Sequence, residues 1–153
     1  MGLDMYLSAK RYVSGFAKED EAVGENIKEM FPELKNFGAT EQQLIREVSI
    51  RAGYWRKANQ IHKWFVDNVQ DGTDNCGNYY VSREHLEELK KLCQQVIDFR
   101  HLATDKLPPS QGFFFGNDKV DDYYFDDLQQ TIQIINECLT LPNSWEFEYH
   151  SSW

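Results

Sequence analysis

A chain of 153 residues with 41% hydrophobic and 14% aromatic side chains can build one ordinary core, so it reads as a single globular domain over 1–153. A formal charge of −9 argues against extended nucleic acid, which is gripped by Lys and Arg on phosphate. Three cysteines (Cys76, Cys93 and Cys138) without a CxxC pair, and no apolar run of ~20 residues, set aside a disulfide framework, a structural zinc site and a membrane span, and point to a reducing cytoplasm.

The first element is a strand. Leu3, Met5 and Leu7 alternate with Asp4, Tyr6 and Ser8. A short acidic helix follows within 19–34, ending before Pro32. Val48, Ile50 and Ala52 alternate with Glu47, Ser49 and Arg51 in a second strand that ends at Gly53. From Gly53 to Phe65 the chain reads GYWRKANQIHKWF. Tyr54, Ala58, Ile61 and Phe65 recur at helical spacing and predict a helix with that face in the core. Gly72 and Gly77 break it within an Asp- and Asn-rich turn. Tyr79 to Val81 is a short extended piece, and Ser82 caps a helix whose apolar face carries Leu86, Leu89, Cys93, Val96 and Ile97. After a Pro- and Gly-bounded loop, Asp121 and Asp122 open a last helix with a stripe of Tyr124, Leu128, Ile132, Ile135 and Leu139. Trp145, Phe147 and Tyr149 alternate with Glu146, Glu148 and His150 in a final strand. The order predicts an α+β fold: a small antiparallel sheet containing both terminal strands, packed against about four helices.

The segment from Glu41 to Lys63 is locally positive. Arg46, Arg51, Arg56, Lys57 and Lys63 stand against Glu41 and Glu47. Such a patch either neutralises neighbouring carboxylates or receives a small anion. Arg clamps phosphate or carboxylate, Lys adds a point charge, Trp and Tyr offer stacking faces, and Asn and Gln read polar edges. These properties select Tyr54, Trp55, Arg56, Lys57, Asn59, Gln60, His62 and Lys63 as candidate ligand-binding residues. The competing reading makes Tyr54, Ile61, Trp64 and Phe65 core and His62 a structural histidine. Phe113, Phe114 and Phe115 lie between glycines and cannot all face inward if extended, so Phe114 joins the candidates as a pocket-lining ring.

Other constellations are weaker. The DGTDNCGN turn lacks the ligand spacing of a calcium loop. Cys76 on that turn has only His62 and His85 as conceivable bases. Asp118, Asp121, Asp122, Asp126 and Asp127 read as helix-cap and solvated carboxylates more readily than as metal ligands. Neither metal nor cofactor is expected, no catalytic residues are assigned, and no GxGxxG, Walker, HExxH or GxSxG motif occurs.

The stretches MGLDMYL, GYWRKANQIHKWFV, NCGNYYVS and LPPSQGFFFG together resemble a family of small phage and prophage proteins, over nearly the whole chain. Asn75 stands where the family's pattern leads one to expect Asp. The resemblance implies an accessory protein of a bacterial cytoplasm and carries no catalytic mechanism. The resulting expectation is a protein that binds a small anionic, nucleotide-like molecule and sequesters a bacterial immune signal. The alternative is an acidic inhibitor that docks on a host defence or nucleic-acid enzyme. A small hydrolase using His62 and the acidic loop ranks third. An oligomer is compatible with all three readings.

Overall fold

In the computed structural model, which describes residues 2–37, 45–112 and 116–153, the element order is β1 (Asp4–Tyr12), α1 (Lys18–Met30), β2 (Glu47–Arg56), α2 (Asn59–Asn68), β3 (Asn78–Val81), α3 (Arg83–Asp98), α4 (Ala103–Lys106), α5 (Asp122–Thr140) and β4 (Trp145–Ser152). The four strands form one antiparallel sheet in the order β2-β1-β4-β3, so the N- and C-terminal strands are neighbours at its centre. β3 pairs with β4 in the register Tyr79 to Tyr149 and Val81 to Phe147. The fold is the α+β arrangement that the alternating patterns predict. Among the described residues, no helix is long and apolar enough to cross a membrane.

The chain divides into two compact units. The larger comprises residues 1–9 and 50–153. There Leu3 just before β1, Met5 and Leu7 of β1, and Phe147 and Tyr149 of β4 are fully or almost fully buried, because alternation sends every second side chain to the helix-covered face. Phe65 of α2 stacks on Tyr149 with ring centroids 4.0 Å apart. Trp64 meets Phe65 edge-on. Ser82 caps α3 by accepting from the His85 amide, and the His85 ring reaches back to the Ser82 amide. Cys93 and Cys138 are buried within this core.

The smaller unit, residues 10–49, holds α1 and a 3₁₀ turn at Pro32–Leu34. Within α1 only Asp20 is buried. It accepts from the Arg11 guanidinium and from the Ser14 amide at 2.6 Å, so a polar clamp anchors this helix in place of an apolar face.

The second strand runs further than its pattern predicts. Gly53 lies inside it, and Tyr54, Trp55 and Arg56 are strand residues, so α2 begins at Asn59 rather than near Tyr54. Trp55 turns inward, where its indole donates to Thr131 Oγ1 at 2.9 Å. Arg51 and Tyr54 both stand on the Tyr6 ring, at 5.1 and 5.4 Å, although residues three apart on a regular strand face opposite ways. Gly53 is also close to α5. A Cβ there would lie 2.6 Å from Ile134 Cγ2.

Gly53→Ala should lower stability by about 1–3 kcal/mol through overpacking. In urea melts the double variant with Ile134→Ala should lose less than the two single losses together, since the second change vacates the clash. Strict additivity would mean that Ile134 is not what Gly53 accommodates.

Candidate functional site

Where β2 ends, the chain turns sharply. The Lys57 amide donates to the Leu3 carbonyl at 2.8 Å, Lys57 takes a left-handed φ of 60°, and Asn59 starts α2. This turn delivers Arg56, Lys57, Asn59 and Gln60 to one cavity of about 310 Å³, near the lower end of small-molecule sites. The opposing wall comes from α5 and the segment before it. It consists of Pro109, Gly116, Asn117 and Lys119, then Asp121, Tyr123, Tyr124, Asp126 and Asp127. Gly116 has φ +88°, and a Cβ there would press on Lys57 Cβ at 3.2 Å, so the lining needs glycine at this point for both reasons.

Asn59 and Gln60 are buried amides. Asn59 Oδ1 accepts from the Ser110 amide at 2.9 Å, and its Nδ2 donates to the Asn117 carbonyl at 2.9 Å. Gln60 Nε2 donates to Asp127 Oδ2 at 3.1 Å. Asp121 caps α5 by accepting from the Tyr124 amide. Its carboxyl is held below its ordinary value, first by the Asn117 side-chain amide and then by the Tyr124 amide. Asp127 behaves in the opposite way. Burial pushes its carboxyl up to about 6, the Gln60 bond opposes the rise, and the charges of Asp126 and Asp121 add to it.

The other predicted site residues lie elsewhere. Trp55 is core. Tyr54 faces the open side of the sheet, where its hydroxyl donates to Asp4 Oδ1 and its ring meets Tyr6. Lys63 pairs with Asp67 at 2.6 Å. His62 is 1% exposed. Its Nδ1 is 2.7 Å from the Tyr149 hydroxyl and its Nε2 is 3.0 Å from Asp74 Oδ2, a bonding pattern that orients the ring within the core. Phe114 lies outside the described residues, as do Phe113 and Phe115. Among the described residues of the locally positive segment, only Arg56 and Lys57 line the cavity, and Lys119 joins them from far along the chain.

Beyond Arg56, Lys57, Asn59 and Gln60, the sequence reading assigned none of the lining to ligand binding, Asp127 and Lys119 included. A signal for Asp127 was present: it sits between Tyr124 and Thr131, at the edge of the stripe that α5 buries. Lys119 has no such signal. A larger depression, of about 590 Å³, runs beside α3 between Glu87, Lys91, Gln94, Asp98, Phe99 and Leu139, but no buried polar group converges there. Among the described residues, no group of three or more ligating side chains is arranged to hold a metal ion. A scan against protein-family models gave no match, and comparisons with curated proteins and with solved structures gave none either.

The raised carboxyl sets a pH dependence. The charges that share its cavity are Asp121 and Asp126 on α5, Arg56 and Lys57 at the end of β2, and Lys119. Folded Asp127 holds its proton up to about pH 6, whereas the unfolded side chain releases it near 3.8. Stability therefore falls as pH rises through this window and stays lower above it. Asp127→Asn should change little below pH 4 and should stabilise the protein at pH 7 by about 1–2 kcal/mol, after allowance for partial solvent screening. Urea melts at the two pH values test this, and destabilisation at pH 7 would show that the charge is favourably paired.

Proposed function

We propose that the protein binds a small anionic, nucleotide-like molecule, and that as a phage or prophage accessory protein it sequesters a bacterial immune signal. The observation that carries this reading is the convergence of Arg56, Lys57 and Lys119 with the buried amides Asn59 and Gln60 on one cavity of about 310 Å³. The cations suit a phosphate and the amides suit the polar edge of a ring. Tyr123, on the same rim and 79% exposed, offers a face on which such a ring can stack.

A second reading draws on the small unit. Tyr12, Phe16, Met30, Phe31 and Phe37 are all exposed there, and Phe16 is 97% exposed. Apolar side chains so concentrated favour docking on a protein partner, which is the inhibitor alternative. The hydrolase reading gains nothing from the geometry, since His62 is enclosed between Tyr149 and Asp74.

A thermal-shift screen with cyclic dinucleotides, ADP-ribose derivatives and mononucleotides tests the first reading. A true ligand at 100 times its Kd adds about 2.7 kcal/mol of stability, which is readily seen as a higher Tm. Arg56→Gln combined with Lys119→Gln should abolish the shift while leaving the unliganded melt nearly unchanged. If nothing in the screen shifts the melt and the protein instead leaves cells in stoichiometric complex with a host enzyme, the inhibitor reading replaces this one.

A further inference from the structure

Gln60 and Asp127 stand side by side on the cavity wall. Gln60 Nε2 donates to Asp127 Oδ2 at 3.1 Å and is 3.4 Å from the Tyr124 carbonyl, so the amide nitrogen is turned toward protein acceptors. The Tyr124 carbonyl can only accept, which fixes which end of the amide is nitrogen. Two oxygens remain, Gln60 Oε1 and Asp127 Oδ1. Among the described residues no donor bonds to either of them, and neither is a fully enclosed atom, although the Gln60 residue is only 3% exposed. Among the described residues, no Lys or Arg forms an ion pair with Asp127. This part of the wall thus presents acceptors and no donor, next to cations that are not occupied in neutralising it.

We infer that the Gln60–Asp127 wall reads the donor edge of a planar ligand, a ring N–H beside an exocyclic amine as on a guanine base, while Arg56, Lys57 and Lys119 hold its phosphate. The inference rests on the binding reading above and narrows the ligand. A guanine edge gives two parallel N–H donors to a carboxylate. An adenine edge sets a ring lone pair beside its amine, and that lone pair would face the negative oxygen. The raised carboxyl fits this assignment. A half-buried carboxylate with one amide donor is short of hydrogen-bond donors, and a ligand N–H pair supplies them.

Isothermal titration of the full chain at pH 7.5 with GMP, IMP and AMP tests the assignment. IMP keeps the ring N–H and lacks the amine. The expected order of affinity is GMP, IMP, AMP, with GMP about 10-fold or more above AMP. Asp127→Asn, whose folding is checked by its melt, should level that preference while retaining part of the affinity, and Asp127→Ser should do the same. Equal or tighter binding of AMP, or a GMP preference that survives both variants, overturns the guanine assignment while leaving the binding reading in place, provided that Arg56→Gln still weakens the nucleotides. If no nucleotide binds the wild-type chain here or in the thermal screen, both the assignment and the binding reading fall.

Discussion

The side chain of Asn59 is the constraint on which the cavity depends. It is a single buried amide, yet it ties the first residue of α2 to Ser110 on one side and to Asn117 on the other. A buried amide without partners costs about 1–3 kcal/mol, so each bond is one that the native state has reason to keep. The two bonds place the backbone on both flanks of residues 111–116 against the end of β2. From there Gly116 reaches Lys57, and Asn117 reaches the Asp121 cap of α5. Two stretches far apart in sequence, around 56–60 and 110–121, are thereby held as one wall. The cavity follows from that closure more than from any property of the helix beneath it.

How much of this could be read in the sequence depends on how local each signal is. The alternation in β1 and β4 and the apolar stripe of α3 are local and survive, while the buried face of α5 keeps Tyr124, Leu128 and Ile135 but turns toward Phe125, Thr131, Ile134 and Cys138, leaving Ile132 and Leu139 half-buried. The Tyr54 to Phe65 spacing misleads because Ala58, Ile61 and Phe65 alone already satisfy a helix around residues 58–68. A fourth member one turn earlier then fits by coincidence. The strong β preference of the Tyr54-Trp55 pair, and a strand that needs Trp55 inside to meet Thr131, decide the matter otherwise. In the candidate site, Arg56, Lys57, Asn59 and Gln60 are legible because they are close in sequence and share a turn. Asp127 lies 67 residues from Gln60, and only the tertiary fold brings the two together. His62 has the composition of a site residue and the environment of a core one, a distinction that depends on Asp74 and Tyr149 and so is invisible locally.

The balance of charge in the cavity differs from that of the chain. The protein carries a formal −9, yet the lining sets Arg56, Lys57 and Lys119 against Asp121, Asp126 and Asp127. Long-range attraction therefore does not bring an anion to this molecule, because the overall field repels it and salt weakens that repulsion. Recognition of the proposed ligand would have to come from the contacts themselves. A site with both signs of charge close together rewards a ligand that has its own anionic and donor-bearing ends in the matching order, and it penalises a simple polyanion.

Gln60 and His62 are two residues apart on α2, which at 3.6 residues per turn separates them by about 200° around the helix axis. One side is bonded to Asp127 and the other to Tyr149 and Asp74, and Trp153 donates to the far oxygen of Asp74. A helix gripped from opposite sides cannot roll about its own axis without breaking polar bonds on both. Its apolar packing alone would resist sliding but would tolerate such a roll. The helix is thus torsionally locked, and the proposed ligand would meet Asn59 and Gln60 with their bearings already set, with little orientational freedom left for binding to remove.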